Sequence, residues 1–180
     1  MNVLNIHERM LEATASEAAP LVDSLGSPGD LLWPGDRWPP MRLDGPLTPG
    51  TRGGHHPIRY TVESFDPGRH VRFRFTSPRG FEGIHMFEIE PVPAGGVRIR
   101  HTLEMKTRGL ANFSWPLIFR PLHDALVEDA FDRAEERFGP APPASVWSPR
   151  VRALRWLLRN LRFRRRRSGK KISVKRETSE

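Results

Sequence analysis

The sequence predicts an α+β fold in which a long helix covers the apolar face of an antiparallel sheet. Four segments between residues 58 and 106 alternate apolar and polar side chains, and turns containing Pro and Gly separate them. A helical pattern follows over residues 114–138. With 180 residues, the chain is long enough for one domain with its own core and an appendage.

The segment before this sheet predicts shorter elements. Residues 3–10 favour a strand, and residues 16–25 favour a helix that Gly26 ends. Residues 27–54 contain six Pro and six Gly, a density that prevents long regular elements. We expect a large loop there, around one short strand near residues 41–44.

Each strand of the predicted sheet has one apolar and one charged face. Turns at residues 66–69, 77–80 and 93–96 separate the strands. The residues assigned by alternation to the apolar face are Ile58, Tyr60, Val62, Val71, Phe73, Phe75, Gly83, His85, Phe87, Ile89, Val97, Ile99, His101, Leu103 and Met105. An apolar face of this size needs a covering element.

The helical pattern at residues 114–138 supplies that cover. Leu122 and Leu126 begin an apolar row that recurs every fourth residue, Pro116 fits the first turn, and Pro121 predicts a kink or a restart. Gly139 ends the helix. The acidic residues are expected on a solvated face, with Asp129 and Arg133 as an i,i+4 pair; they are Glu128, Asp129, Asp132, Glu135 and Glu136.

Composition and motifs exclude several classes of protein. The chain has no Cys, which excludes disulfides, thiolate metal sites and Cys nucleophiles. Dinucleotide-binding, phosphate-loop, zinc-protease and nucleophile-elbow motifs are absent. The N-terminal residues lack the apolar core of a signal peptide, and the longest uncharged apolar run has 11 residues, so we expect neither export nor a transmembrane helix.

The net charge of +8 belongs to the C-terminal part of the chain. Residues 1–140 contain 16 Lys and Arg against 19 Asp and Glu, whereas residues 141–180 contain 13 against 2. We expect a Pro-rich linker over residues 140–149, a basic amphipathic helix over residues 150–167 and a disordered charged tail over residues 168–180.

The sequence of this basic helix is compatible with three environments. It can lie on an anionic membrane through the nine arginines between Arg150 and Arg167, stay solvated or dock on protein, or bind nucleic acid. Nucleic acid ranks lowest because no base-reading module accompanies the charge. The expected location is the cytoplasm, with peripheral attachment to the inner face of the membrane.

Four short segments carry a family resemblance: GHHPIRYTVE at residues 54–63, PGRHVRFRF at 67–75, GFEG at 80–83 and WPL at 115–117. They resemble the START and Bet v 1-like (SRPBCC) superfamily, which includes bacterial polyketide cyclase/dehydrase and lipid-transport-like proteins. The resemblance covers about residues 2–138 and implies a helix-grip domain over residues 1–139, a curved sheet wrapped around the last long helix. The superfamily has no universal catalytic motif, so it assigns no active residue here.

The resemblance implies an apolar tunnel between the sheet and the helix. Tyr60, His85 and His101 are the polar side chains expected on its wall, with His85 and His101 about 7–8 Å apart on a diagonal. Each also has a simpler interpretation, a buried core residue with a local partner. The expected ligand-binding residues are Tyr60, Val62, Phe73, Phe75, His85, Phe87, His101, Leu103, Leu122 and Leu126.

The sequence favours binding or carriage of a hydrophobic or aromatic small molecule or lipid over turnover. The alternative is a cyclase- or dehydratase-like lyase or isomerase, in which His85 or His101 moves a proton and Tyr60 polarises an oxygen. A third hypothesis is an interaction module that works through the basic tail. No cofactor and no metal site are predicted; His55 and His56 are interpreted as loop histidines.

Overall fold

One seven-stranded antiparallel sheet forms the framework of the domain in the computed structural model, which describes residues 1–140, 143 and 145–160. Its strand order is β1-β7-β6-β5-β4-β3-β2. The strands are β1 (Asn2–Leu11), β2 (Arg42–Leu43), β3 (Arg52–His55), β4 (Ile58–Asp66), β5 (His70–Ser77), β6 (Phe81–Pro91) and β7 (Val97–Thr107). The predicted α+β helix-grip architecture is confirmed, since one long helical segment follows β7 and contacts the apolar face of the curved sheet.

The helical segments are α1 (Ala15–Asp23), α2 (Ala111–Ser114), a π-helical segment (Trp115–Phe119) and α3 (Arg120–Glu135). Thr14 caps α1, because its hydroxyl accepts a hydrogen bond from the Glu17 amide while the Glu17 carboxylate accepts one from the Thr14 amide. The covering helix begins at Ala111, before the predicted residue 114. It restarts at Arg120 with Pro121 in the first turn of α3, as the position of that proline predicts.

The meander from β4 to β7 has the predicted faces. The strongly buried residues of these strands include Tyr60, Val62, Val71, Phe73, His85, Phe87, Ile99, His101 and Leu103. β1 closes the far side of β7, where Val3 pairs with Met105 and His7 pairs with His101. The alternation is therefore preserved across β5, β6, β7 and β1, whereas β4 pairs with β5 through two register shifts.

The sequence pattern missed β3, which lies in the region expected to be a loop and ends with His55, so the interpretation of His55 as a loop histidine is wrong. β3 pairs with β2 and β4 through Gly53 and Gly54. A Cβ atom at Gly53 would collide with the Arg42 carbonyl oxygen, and one at Gly54 with that of Ile58. Glycine therefore permits the strands to approach closely here, although in a sequence a pair of glycines is usually interpreted as part of a loop.

The prediction of a solvated acidic face on the covering helix holds for Glu136, which is exposed, but it is wrong for Asp129 and Asp132. Asp129 and Asp132 are both buried, and Arg133 forms its ion pair with Asp36 at 3.3 Å. Trp38 Nε1 donates a hydrogen bond to Asp129 Oδ2 at 2.6 Å, and Arg37 Nη1 lies 2.8 Å from Oδ1. The Pro- and Gly-rich segment before β2 packs over this side of α3, so α3 is covered on two sides.

The chain divides into two units, residues 1–145 and residues 146–180. In the second unit a helix, α4, is described over residues 149–160, and the Ser148 hydroxyl accepts a hydrogen bond from the Val151 amide at its start. The rest of the predicted basic helix and the predicted tail at 168–180 lie outside the described residues. None of the described helices is long and apolar enough to cross a membrane.

Replacing Asp129 with Ala is expected to destabilise the protein by about 2–3 kcal/mol, because the buried Trp38 N–H loses its charged acceptor. Urea unfolding measures the change. Glu136→Ala, at an exposed position near the end of the same helix, serves as the control and should stay within about 0.5 kcal/mol of the wild type. Equal effects of the two substitutions would contradict this role of Asp129.

Candidate functional site

A row of four polar rings crosses the apolar face of the sheet and reaches the covering helix. We call Tyr60, His85, His101 and His123 the imidazole row. The centroid distances along it are 4.8 Å from Tyr60 to His85, 5.6 Å from His85 to His101 and 5.0 Å from His101 to His123. Its members come from β4, β6, β7 and α3, and each ring contacts the next one in the row.

Strand alternation and pairing register place the first three members of the row. His85 pairs with Leu103, and Phe87 pairs with His101, which is the predicted diagonal arrangement. The two imidazole rings are closer together than the expected 7–8 Å between the diagonal positions. A register irregularity between Arg59 and Tyr60 lies at the position where Tyr60 enters the row.

The imidazole row contains buried polar atoms without hydrogen-bond partners. Among the described residues, no partner lies near Tyr60 OH, His85 Nε2, His101 Nδ1 or His123 Nε2. Tyr60, His85 and His101 are at most 4% exposed. An unpaired buried polar group costs about 1–3 kcal/mol, and almost all such groups in proteins are paired. These unpartnered atoms are concentrated in one row, where a ligand or an ordered water could supply hydrogen-bond partners.

The row is electrically neutral near pH 7. Burial lowers the pKa of His85 and of His101, and His123 adds to the lowering in both cases. Burial also raises the pKa of Tyr60, which therefore keeps its hydroxyl proton. A neutral imidazole offers one donor and one acceptor, and a phenol offers a donor and an acceptor. The site can thus bind neutral polar groups without burying a charge.

Aromatic rings enclose this row. Phe73 and Phe75 stack on His85 at centroid distances of 5.0 Å each, and Phe87 lies edge-on to His101 at 4.4 Å. The other expected ligand-binding residues, Val62, Leu103 and Leu126, are buried, and Leu122 is half-buried. The structure therefore brings the rings together in a wall of mutually contacting side chains.

Sequence reasoning missed His123 as a member of the row. His123 follows Leu122 directly in the helical pattern, but the sequence does not show which residues it contacts. In the structure its ring lies 5.0 Å from that of His101 and 5.7 Å from that of Trp115. The sequence feature that could have indicated this role is the position of a histidine beside the apolar row of Leu122 and Leu126.

A second polar contact, the β1–α3 polar seam, lies beside the row. Its members alternate along β1 and recur about every four residues along α3; they are Asn5, His7, Arg9, Asp124, Glu128, Asp132 and Glu135. His7 Nδ1 lies 2.6 Å from Glu128 Oε1, and Arg9 Nη1 donates to Glu135 at 2.6 Å. Burial opposes protonation of His7, but Asp124 and Glu128 outweigh it and raise the pKa of His7.

Comparison with known proteins identifies the fold and no sequence family. The sequence matches no family model and no curated protein. A protein from Thermobifida fusca is 14% identical, with a TM-score of 0.56 over 82% of this chain and 99% of that one. A protein from Nitrosospira multiformis is 8% identical, with a TM-score of 0.57 over 78% and 97%.

Norcoclaurine synthase from Thalictrum flavum, solved as a point mutant in complex with a transition-state analogue, is 16% identical. Its TM-score is 0.56, over 77% of this chain and 94% of that one. At such identities the likeness concerns the fold alone. The chain accordingly has the helix-grip fold of Bet v 1-like proteins. The comparisons assign no role to its buried polar groups, whose function has to be argued from their own geometry.

Replacing His85 with Phe is expected to make the stability less sensitive to acid. Burial lowers the folded-state pKa of His85 below 6.5, so below pH 6.5 the unfolded chain binds a proton that the folded chain does not. Stability associated with His85 is complete above pH 6.5 and is lost as the pH falls. Between about pH 6 and pH 5, the wild type should lose up to about 1.4 kcal/mol per pH unit more than His85→Phe.

Urea unfolding of the two proteins across this range measures the difference. The control is His56→Phe, which changes an exposed histidine and should keep the slope of the wild type. Parallel pH profiles for the wild type and His85→Phe would show that His85 is not held neutral by burial.

Proposed function

We propose that the protein binds a neutral, largely apolar small molecule between the sheet and the covering helix, as a member of the SRPBCC superfamily. The observation that carries this proposal is the set of buried, unpartnered polar atoms Tyr60 OH, His85 Nε2 and His101 Nδ1 within a wall of aromatic rings. Bound ligand atoms would replace the missing hydrogen bonds.

The surroundings of these atoms restrict the chemistry of the ligand. The rings of Phe73, Phe75 and Phe87 favour an apolar or aromatic body, since aromatic rings stack on one another. The neutral state of His85 and His101 disfavours a ligand with a net charge, because no opposite charge would compensate for burial. A planar compound with one or two carbonyl or hydroxyl groups fits both conditions.

A protein with the same fold supports ligand binding by analogy. Norcoclaurine synthase, which shares the fold, has been solved with a transition-state analogue bound. A helix-grip sheet and helix can therefore accommodate an organic molecule. Binding or carriage is favoured over turnover here, because the apolar face of the sheet has few polar groups and His85 and His101 among them are neutral.

A second candidate function is proton transfer on a bound carbonyl compound, as in a cyclase or dehydratase. It is favoured by the contact of Tyr60 with His85, whose ring centroids lie 4.8 Å apart. The phenol can donate a hydrogen bond to a carbonyl oxygen while neutral His85 accepts the proton from the carbon next to the carbonyl, whose C–H electron pair then forms the enolate. Each group is in the protonation state that its role requires.

The test of ligand binding begins with solvent extraction of the purified full-length protein, followed by mass spectrometry against a control protein prepared in the same way. We expect an apolar compound in stoichiometric amount. Binding is also titrated with naphthol, a neutral aromatic probe with one hydroxyl group. Recovery of the compound in a chemically altered form after incubation with the protein would favour the proton-transfer candidate.

Tyr60→Phe provides the matched variant, because it removes one hydroxyl and keeps the ring. It should weaken binding of the extracted compound by about tenfold, and it should stabilise the ligand-free protein by about 1 kcal/mol, since an unpaired buried hydroxyl disappears. Thr76→Val, at an exposed position of β5, should change neither quantity. Unchanged affinity together with lower stability in Tyr60→Phe would contradict the proposal.

We further propose that α4 attaches the protein to an anionic membrane surface. Trp156, Leu157 and Leu158 are exposed on this helix beside exposed arginines. The full-length Arg152→Glu/Arg159→Glu variant should bind phosphatidylglycerol vesicles at least about tenfold more weakly, since each basic residue near such a surface contributes about 1 kcal/mol. Co-sedimentation measures this binding.

The control for the membrane proposal is Arg59→Glu/Arg79→Glu, which changes the same charge at exposed positions of the first unit. It should bind the vesicles like the wild type. Equal losses in both variants, or a loss of binding to duplex DNA without any loss of vesicle binding, would contradict attachment through α4.

A further inference from the structure

Three metal-ligating atoms converge where the polar seam meets the end of the imidazole row. Asp124 Oδ1 lies 3.3 Å from His7 Nε2 and 3.3 Å from His123 Nδ1. All three atoms lie within 4.8 Å of one another. The residues come from β1 and α3, so their positions are set by regular elements and not by a loop.

These separations match the geometry of a bound transition metal. Zinc binds His nitrogen and carboxylate oxygen at about 2.0–2.2 Å, so neighbouring ligands of a tetrahedral ion are ~3.4 Å apart. The two distances from Asp124 Oδ1 fit that spacing. One ion could therefore contact all three atoms with small side-chain adjustments.

The hydrogen bonds around His7 prepare Nε2 to act as a ligand. When Nδ1 donates to Glu128 Oε1 at 2.6 Å, Nε2 of the neutral ring carries a lone pair and faces the Asp124 carboxylate. Arg9 Nη2 donates to the other Glu128 oxygen at 2.8 Å and holds that carboxylate in place. A carboxylate that accepts from the second nitrogen is the usual support of a metal-bound histidine.

Asp124 is also held in place by its surroundings. Asn5 Nδ2 donates to Asp124 Oδ1 at 3.0 Å, which leaves a second lone pair on that oxygen. Arg120 approaches the opposite oxygen, Oδ2, at 3.7 Å. If His123 binds through Nδ1, its proton resides on Nε2, the buried atom for which the described residues offer no hydrogen-bond partner.

The site is partly buried and carries a suitable charge. The side chains of His7 and His123 are 14% and 17% exposed, and that of Asp124 is 34% exposed, so an ion has a path from solvent. The four carboxylates of the seam, Asp124, Glu128, Asp132 and Glu135, exceed the two arginines Arg9 and Arg120 by two charges, which offsets a charge of +2. Three protein ligands leave one coordination position for water, as in open zinc sites.

We propose that His7, His123 and Asp124 bind a divalent first-row transition-metal ion, with Glu128 as the positioning residue behind His7. Two imidazoles and one carboxylate suit zinc, cobalt or iron(II) better than magnesium or calcium, which prefer oxygen ligands. His123 would connect this ion to the imidazole row, since its ring lies 5.0 Å from that of His101.

The test uses full-length protein freed of metal with a chelator and titrated with Co²⁺ alone. We expect a visible absorption band that saturates at one ion per chain and is removed by Zn²⁺. His123→Ala and the near-isosteric Asp124→Asn should each weaken Co²⁺ binding at least 100-fold, because each removes a ligand. Circular dichroism of each variant verifies that it is folded.

Two further variants separate metal binding from a purely structural cluster. Glu128→Gln keeps all three ligands and should weaken the affinity by about 10–100-fold, the usual effect of losing the carboxylate behind a metal-bound histidine. His56→Ala removes an exposed histidine and should bind like the wild type. The proposal is overturned if no saturable band appears, if folded Asp124→Asn keeps the wild-type affinity, or if His56→Ala loses it.

Discussion

The β1–α3 polar seam is the contact on which the arrangement of the covering helix depends. Arg9 bridges Glu128, Asp132 and Glu135, which recur along one side of α3. Breaking a partly buried ion pair leaves a charge without its partner, so a rotated helix would lose these contacts at a considerable cost. The observed rotation of α3 aligns its carboxylates with the alternating polar residues of β1 and places His123 against the sheet.

Two electrostatic environments meet where the imidazole row adjoins the β1–α3 polar seam. In the imidazole row, burial among aromatic rings lowers the pKa of His85 and His101 and keeps them neutral. In the seam, neighbouring carboxylates raise the pKa of His7. His123 touches both, because its ring contacts His101 while its Nδ1 faces Asp124. The pKa of His7 is thus raised and that of His101 lowered, although both rings contact the ring of His123.

Helix-grip proteins with 8–16% identity to this chain share its sheet and its long helix. The fold requires an apolar sheet face and an amphipathic helix, and many side chains meet that requirement. The polar atoms of Tyr60, His85 and His101 are not needed for packing, since apolar residues would fill the same space at lower cost. Their presence is a property of this sequence and the reason for assigning function to that face.

The sequence by itself determined the faces of β4–β7, since side-chain direction in a strand is a local property that alternates with every residue. Tyr60, His85 and His101 were therefore placed correctly on the apolar face. The tertiary structure alone decided that Asp129 is buried, because the segment containing Trp38 covers a second side of α3. The contact between His7 and Asp124, which are 117 residues apart in the sequence, also depends on the tertiary structure. A periodic pattern shows which face a residue occupies, but it does not show which distant segments come into contact.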